Sequence, residues 1–147
     1  MWKKMIFAIV AVLILSGVSV SQATEKAGQP DDAVEQEVIE SASEWLTTVD
    51  NGKYGPSWEQ ASEYFKLMVI KTQWTAQISS ARKAFGKMET RKLVERKYAR
   101  DLPGAPDGEY YVFTYSTSFA EKAAAFETLT LRKEKDGKWR VAGYYIH

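Results

Sequence analysis

The sequence contains no cysteine and a single histidine, the last residue His147. The absence of cysteine excludes disulfides, thiolate metal sites, a cysteine nucleophile and lipid attachment to an N-terminal cysteine. One histidine is too few for a histidine-rich metal site, and it leaves histidine-based acid–base catalysis without its usual residues. We therefore predict no metal and no cofactor for this chain.

Long apolar runs are also scarce, and the clear example is the stretch from Met5 to Leu15. It follows the basic pair Lys3 and Lys4 and precedes a small-residue site that ends at Ala23. This order is typical of a secretory signal peptide. We predict a signal peptide over residues 1–23, cleaved near Ala23, and a periplasmic or secreted protein.

An uncleaved membrane anchor is the alternative for this segment. A spanning helix needs about 20 mostly apolar residues, whereas the stretch from Met5 to Val20 is shorter and contains Ser16, Gly17 and Ser19. The sequence thus favours cleavage, with membrane contact only through the signal peptide before it is removed.

The chain lacks an excess of charge of one sign, because its formal net charge is +1. Loss of Lys3 and Lys4 with the signal peptide would leave 18 basic residues against 19 acidic ones. A basic field of the kind that attracts nucleic acid is therefore absent, and we predict no nucleic-acid partner.

Charge is nevertheless segregated along the chain, since residues 25–63 are mostly acidic and residues 82–100 mostly basic. The basic segment could bind an anionic envelope ligand. Alternatively, its lysines and arginines protect an exposed edge strand or meet the acidic helix.

The length of 147 residues suits one domain. We expect a flexible polar leader over residues 24–30 and a single domain over residues 31–147. An amphipathic helix begins after the capping pair Asp31-Asp32 and ends at Asp50-Asn51-Gly52. Its apolar face has helical spacing and comprises Val34, Val38, Ala42, Trp45, Leu46 and Val49.

Two further helices are predicted. The first begins at Pro56-Ser57, with Ser57 as its cap and Gln60 completing a capping box. The second covers about Gln73 to Phe85, and its apolar face comprises Trp74, Ile78, Ala81 and Phe85.

From Met88 onward the apolar period changes from helical to alternating, which indicates strands. Four strands are predicted, over residues 89–99, 110–119, 125–133 and 139–146. Turn residues separate the last two at Asp136-Gly137. The fold class is therefore α+β: three N-terminal helices packed on a four-stranded antiparallel meander sheet.

Several groups of residues along the chain form a recognisable set. They are Trp45, Val49-Asp50-x-Gly52-x-Tyr54-x-x-Ser57-Trp58, Phe65, Trp74, Arg82, Gly86, Arg91, Leu102-Pro103-Gly104-Ala105-Pro106-Asp107-Gly108-x-Tyr110, Glu127-Thr128 and Lys135-Asp136-Gly137-Lys138-Trp139-Arg140-Val141-x-Gly143-Tyr144-Tyr145. Together they resemble an exported bacterial family known as domain of unknown function 4019. The resemblance covers most of the chain after the signal peptide and implies export, but no established activity. The element order is also similar to the cone-like fold of nuclear-transport-factor-like proteins, an analogy of fold alone.

Glu127 is the sharpest candidate for chemistry. It alternates in phase with Ala125, Leu129 and Leu131, so an inward-facing strand would place its carboxylate among apolar groups. Desolvation could then make it a general acid or base, with Tyr115 as its partner. The alternatives are a structural ion pair with Arg91 or Arg140, or a face that points outward.

Aromatic side chains suit the wall of a ligand pocket as well as a core. We predict that the inner face binds a ligand through Trp45, Trp58, Trp74, Arg91, Tyr111, Tyr115 and Glu127. The alternative for the tryptophans is that they only fill the core.

Together these features favour an exported, non-enzymatic domain that binds a small molecule or an anionic envelope component. Two alternatives remain. One is a cofactor-free enzyme of the isomerase or dehydratase kind that uses Glu127 and Tyr115. The other is a dimeric assembly module, with an outer sheet face made of Val112, Thr114, Phe126 and Thr128.

Overall fold

The computed structural model describes residues 28–147. The predicted signal peptide over residues 1–23, and residues 24–27 of the predicted leader, lie outside the described residues. Within the described part, no helix is both long and apolar enough to span a bilayer.

Helix α1 spans Asp32–Asp50, close to the predicted bounds. The side chain of Asp31 caps its N-terminus by accepting a hydrogen bond from the Val34 amide at 2.9 Å. The helix ends where Gly52 adopts a φ of 71°, a conformation that glycine takes without steric cost.

Residues 28–147 contain four helices where the sequence predicted three. The three that follow α1 are α2 (Tyr54–Gln60), α3 (Glu63–Met68) and α4 (Lys71–Phe85). The predicted cap at Ser57 is wrong, because Ser57 lies inside α2, where its hydroxyl donates to the Tyr54 carbonyl at 2.7 Å. Ser62 is a cap instead, since its hydroxyl accepts from the Phe65 amide and starts α3.

The strands of the described chain form one four-stranded antiparallel sheet in the order β1-β2-β3-β4. They are β1 (Met88–Ala99), β2 (Tyr110–Phe119), β3 (Lys122–Lys133) and β4 (Trp139–Ile146). The α+β class and the meander are thus confirmed. β3 begins three residues before its predicted start, because the turn needs only Ala120 and Glu121.

The core lies between one face of the sheet and helices α1 and α4. Strand positions that face it alternate with outer ones, as the period of two requires. The buried apolar side chains of the sheet include Tyr111, Phe113, Tyr115, Phe119, Ala125, Leu129, Leu131, Trp139, Val141, Tyr144 and Ile146.

Bulges inside β1 and β4 interrupt this alternation. In β1, Leu93 pairs with Tyr115 and Glu95 with Thr114, so Val94 is the extra residue. In β4, Val141 pairs with Leu131 and Gly143 with Thr130, so Ala142 is extra. A bulge reverses the facing of every residue after it. Tyr144 therefore points into the core.

Helix α3 lies against the free edge of the sheet. The Ser62 amide donates a backbone hydrogen bond of 2.8 Å to the Val141 carbonyl of β4. From this edge, α3 also reaches the outer sheet face, where it lines a cavity with Thr130 and Gly143.

Candidate functional site

Glu127 is completely buried, whereas its neighbour Phe126 is 45% exposed. This is the facing that the alternation along β3 predicted. Glu127 pairs in register with Tyr115 on one side and Ile146 on the other, so the strand itself carries the carboxylate into the core.

Four hydrogen bonds surround the Glu127 carboxylate. Arg91 donates from Nε to Oε1 at 2.7 Å and from Nη2 to Oε2 at 3.1 Å. The Thr117 hydroxyl donates to Oε1 at 2.6 Å, and the Tyr144 hydroxyl donates to Oε2. A carboxylate has about four acceptor positions. All of them are occupied, which leaves none for a substrate proton.

The network continues from Arg91 to the end of α1. Arg91 donates to both carboxylate oxygens of Asp50, at 2.7 and 2.9 Å, and Arg82 of α4 lies 2.9 Å from Asp50. Two acids thus face two arginines in the interior. We call Asp50, Arg82, Arg91 and Glu127 the buried ion network.

The network shifts the pKa values of its members. Burial by itself would raise the pKa of Asp50, but hydrogen bonds and charges from Arg91 and then Arg82 outweigh it and lower that pKa. Burial by itself would lower the pKa of Arg91, but Asp50 and Glu127 raise it. Both groups are therefore held in their charged forms.

The predicted partner of Glu127, Tyr115, does not reach it. Within the described chain Tyr115 makes no hydrogen bond to Glu127, and the phenol that does is Tyr144. Burial, opposed by the charge of Arg91 and reinforced by that of Glu127, raises the pKa of Tyr115 to about 12. Burial and the charge of Glu127 raise the pKa of Tyr144 well above its ordinary value.

Of the two arginines considered for Glu127, the structure joins Arg91 to it and not Arg140. Arg140 pairs with Asp136 in the β3–β4 hairpin, at 2.8 and 3.0 Å. Two members of the network were missed by sequence reasoning. Apart from their place in the family resemblance, the sequence indicates Asp50 as part of a helix stop, and it puts Ala81 on the apolar face of α4, where Arg82 is buried instead.

The three candidate tryptophans have their indole N–H groups bonded inside the protein. Trp45 donates to the Ser57 carbonyl at 2.8 Å and Trp74 to the Ser57 hydroxyl at 3.0 Å. Trp58 is half-buried and donates to the Val69 carbonyl at 2.8 Å. This bonding is typical of core aromatic residues.

The remaining candidate, Tyr111, is also buried. Its ring lies 5.4 Å from that of Tyr98 and 5.3 Å from that of Trp139. Burial is the main cause that raises its pKa to about 12. All seven predicted ligand residues therefore belong to the core or its border, and Glu127 with Arg91 is the one polar pair among them that the fold joins.

Open space lies on the opposite, outer face of the sheet. A mostly apolar cavity of about 60 Å³ is enclosed by α3, the outer sheet face and the loop of residues 100–109. Its wall includes Phe65, Val69, Leu102 and Tyr110. We call it the outer cavity.

Hydrogen bonds hold the loop over the outer cavity. The Tyr64 hydroxyl of α3 donates to the Gly104 carbonyl at 3.1 Å, and the Tyr110 hydroxyl donates to the Pro106 carbonyl. The Gly108 amide closes the loop on the Arg100 carbonyl at 3.0 Å.

A charged groove of about 680 Å³ adjoins the outer cavity, between helices α2 and α3 and the β3–β4 hairpin. Arg132 stands at the junction, with its guanidinium 6.0 Å from the Tyr64 ring and 5.8 Å from the Tyr110 ring. Its Nε is buried without a hydrogen-bond partner, and it forms no ion pair within residues 28–147.

A pocket of about 300 Å³ beside α1 is lined by Trp45 and Trp139, with charges of both signs at its rim. In the described part of the chain, no group of three or more acidic or histidine side chains is placed to hold a metal ion.

Comparison with solved structures finds a similar fold in Aln2 from a Streptomyces species. The two are 16% identical with a TM-score of 0.51, over 80% of this chain and 92% of that one. At this identity the likeness concerns the fold alone. No curated protein matches the sequence.

The sequence itself matches one family model over residues 41–144, described as a protein of unknown function. The match contains the C-terminal half of α1, the three other helices of the described chain and the sheet as far as Tyr144. It includes all four members of the buried ion network and Arg132. This chain belongs to the DUF4019 family.

Proposed function

We propose that this chain is an exported, non-enzymatic binding domain whose ligand carries both an apolar part and an anionic group. The apolar part occupies the outer cavity, and the anionic group binds Arg132 at its junction with the charged groove. A small carboxylate or phosphate amphiphile of the bacterial envelope has this chemistry.

The observation that carries the proposal is the state of Arg132. Guanidinium groups in folded proteins usually meet carboxylates or phosphates in a bidentate geometry. Three other basic side chains that line the groove each have a carboxylate partner within the described residues: Lys66 with Glu63, Lys133 with Glu109 and Arg140 with Asp136. Arg132 is stacked between two tyrosines instead, which orients its fork and leaves it available for an anion.

The outer cavity supports the apolar half of the ligand. Its lining is mainly aliphatic and aromatic, and sites of this kind add a few polar groups that fix orientation. Arg132 and the Tyr64 hydroxyl stand at its border. The cavity itself accepts only a short apolar group, so the rest of the ligand would extend along the groove.

The inner face favours a structural role over a catalytic one. A general base must reach a substrate proton at hydrogen-bond distance. Glu127 is completely buried, and its acceptor positions are filled by Arg91, Thr117 and Tyr144. We therefore propose binding rather than an isomerase or dehydratase reaction.

We further propose that the architecture is the cone-like one of nuclear-transport-factor-like proteins. The four-stranded antiparallel meander with helices on its inner face supports this. Export rests on the N-terminal sequence, where a basic pair, an apolar run and a small-residue site follow in order.

The test is calorimetric titration with hexanoate, hexyl phosphate and neutral hexanol, whose short chains suit the small outer cavity. We expect both anions to bind, and Arg132→Gln to weaken them by about 10- to 100-fold, because hydrogen bonds to charged groups contribute that much. Arg132→Lys keeps the positive charge but loses the planar guanidinium. Its affinity for the anions should therefore lie between those of the wild type and Arg132→Gln. Binding of hexanol should change little in both variants.

Arg96→Gln is the matched control, because Arg96 is an exposed arginine that pairs with Glu35 on the far edge of the sheet. Thermal unfolding of each variant separates lost binding from lost folding. Equal anion affinity in the Arg132 and Arg96 variants, or no binding of either anion by the wild type, would show the proposal to be wrong.

A further inference from the structure

A protruding apolar corner joins α3 to α4. Leu67 and Met68 end α3 and Ile70 caps α4, and they are 83%, 54% and 58% exposed. Five large apolar residues are exposed in the described part of the chain, and these are three of them. Single exposed apolar residues need no explanation, but a contiguous apolar patch of a few hundred Å² is often functional.

The backbone beneath the corner is held firmly. The Val69 carbonyl accepts the indole N–H of Trp58 at 2.8 Å, and the Val69 amide donates to the Phe65 carbonyl at 3.0 Å. The Trp74 amide donates to the Ile70 carbonyl at 3.0 Å, which begins α4. The three apolar side chains therefore project from a fixed base, and binding would order little additional backbone.

The rim of the corner is neutral in charge. Lys66 and Lys71 flank the apolar residues, and each is paired with a carboxylate, Glu63 at 3.2 Å and Glu59 at 2.7 Å. Lysine stems can also cover apolar surface while their ammonium groups stay in water. Such a rim suits the zone of lipid headgroups without requiring an anionic membrane.

The size of the corner distinguishes a membrane from a protein partner. Three side chains of this kind offer at most about 360 Å² of apolar surface. A stable protein interface buries about 800 Å² on each partner, so a second copy of this chain could not be held by the corner alone. Insertion into a bilayer needs no complementary surface.

We propose that the corner of Leu67, Met68 and Ile70 inserts into the surface of a phospholipid bilayer. Met68 also lines the outer cavity, and Leu67 the charged groove. The membrane contact thus lies beside the proposed ligand site. It rests on exposure and charge, and it stands whether or not Arg132 binds an anion.

The absence of cysteine makes a direct test simple, because one introduced cysteine gives a unique labelling site. An environment-sensitive fluorophore is attached to Leu67→Cys in the chain purified from an exporting bacterial host, after removal of residues 1–23, and to Val94→Cys as the matched control. Val94 is 50% exposed in the bulge of β1. We expect a blue shift at position 67 and none at position 94, on vesicles of phosphatidylcholine alone and with phosphatidylglycerol.

Vesicle flotation gives the second measurement. The variant Leu67→Ser/Met68→Ser/Ile70→Ser should partition about 100-fold less than the wild type, because each apolar side chain contributes roughly tenfold or less in a partly inserted state. Val94→Ser should behave as the wild type. Both variants should keep their folded circular dichroism, since the replaced side chains are exposed.

Three results would each overturn the proposal. The first is an unchanged label at position 67, or an equal shift at positions 67 and 94. The second is binding that requires phosphatidylglycerol and disappears in salt, which would assign it to the basic residues of the chain. The third is a shift at position 67 that rises with protein concentration without vesicles, which would assign the corner to a second copy.

Discussion

At the scale of single residues, Glu127 illustrates how a carboxylate is accommodated in an apolar interior. Leaving a charge unpaired there is costly, whereas a charge with a full set of donors is tolerated. The fold supplies Arg91, Thr117 and Tyr144 from three different strands. Glu127 thereby ties the middle of the sheet together, and through Arg91 ties it to α1.

Glu127→Gln should destabilise the protein by about 3–5 kcal/mol, because it leaves Arg91 with one missing counter-charge in the interior. Urea unfolding followed by tryptophan fluorescence measures the change. Glu35→Gln is the control, since Glu35 pairs with the exposed Arg96 and should change stability by less than about 1 kcal/mol. Equal effects of the two variants would contradict a structural role for Glu127.

Asp50 makes stability depend on pH on the acid side. Its folded pKa lies below the ordinary value of 3.8 because Arg91 and Arg82 outweigh the effect of burial. The stabilisation is therefore complete above the unfolded pKa and is lost as pH falls through the folded pKa. Asp50→Asn should lower the free energy of unfolding at about pH 7 and flatten its decline toward about pH 3.

The control for Asp50 is Asp136, whose pKa is lowered to about 2 mainly by its hydrogen bond from Arg140. This pair lies on an exposed hairpin, so salt should screen it. Urea unfolding across the acid range at high salt should give Asp136→Asn the profile of the wild type. An Asp50→Asn profile parallel to that of the wild type would show that Asp50 is not the titrating group.

At the scale of elements, local sequence predicted the class of each segment better than its end. Ser57 had the spacing of a capping box, but it lies inside α2. Its hydroxyl donates to the Tyr54 carbonyl and accepts a hydrogen bond from the Trp74 indole N–H. Ser62 provides a cap two residues after Gln60. Both serines are suitable caps in sequence, and only the tertiary contacts of Trp74 distinguish them.

The bulge at Ala142 had a larger consequence. Strict alternation from Trp139 would turn Tyr144 outward, yet the extra residue turns it toward Glu127. β3 has no bulge between Ala125 and Leu129, so alternation there gave the correct facing of Glu127. Alternation along a strand thus predicts which face a side chain occupies only where the strand pairing has no bulge.

The junction between α4 and β1 depends on Gly86, which has φ 77° and ψ −166°. This region is available to glycine alone, and an added Cβ would lie 3.1 Å from Glu121 Cγ and 3.2 Å from Ala120 Cβ. Gly86→Ala should therefore cost about 1–3 kcal/mol.

Gly137 is the matched position, with φ 82° and no atom within 4 Å of an added Cβ. Gly137→Ala has only the backbone strain, which is about 1–2 kcal/mol for a left-handed residue. In thermal unfolding, Gly86→Ala should have a lower melting temperature than Gly137→Ala. The reverse order would mean that the contacts with Ala120 and Glu121 relax without cost.

At the scale of the whole molecule, the mass of the exported protein tests the predicted removal of residues 1–23. We expect intact-mass measurement of protein purified from an exporting bacterial host to give the mass of a chain that begins at Thr24. A mass that retains residues 1–23 in the membrane fraction would support the alternative of an uncleaved anchor.

The outer sheet face makes a second prediction at this scale. Val112, Thr114, Phe126 and Thr128 lie on that face, and Phe126 is 45% exposed, with its ring 5.9 Å from that of His147. If two copies pair through it, native mass spectrometry should detect a dimer that Phe126→Lys converts to monomer. A monomer in the wild type at high concentration would exclude this arrangement.

The sequence by itself determined helices α1 and α4, the four strands, the facing of Glu127 and the α+β class. These depend on spacing within a few residues of one another, and the periods of helix and strand express them locally. It left open which arginine meets Glu127, and it could not indicate the outer cavity, because α3 comes to line it only after lying against the edge of β4.

Only the tertiary structure decided those contacts. Arg91 lies 36 residues before Glu127 and 41 after Asp50, so their meeting depends on how the chain closes rather than on local pattern. Arg132 likewise stands between Tyr64 and Tyr110 because a helix and a strand from distant parts of the chain converge there. Local periodicity selects the inner and outer faces of each element, but the packing of elements selects the partners.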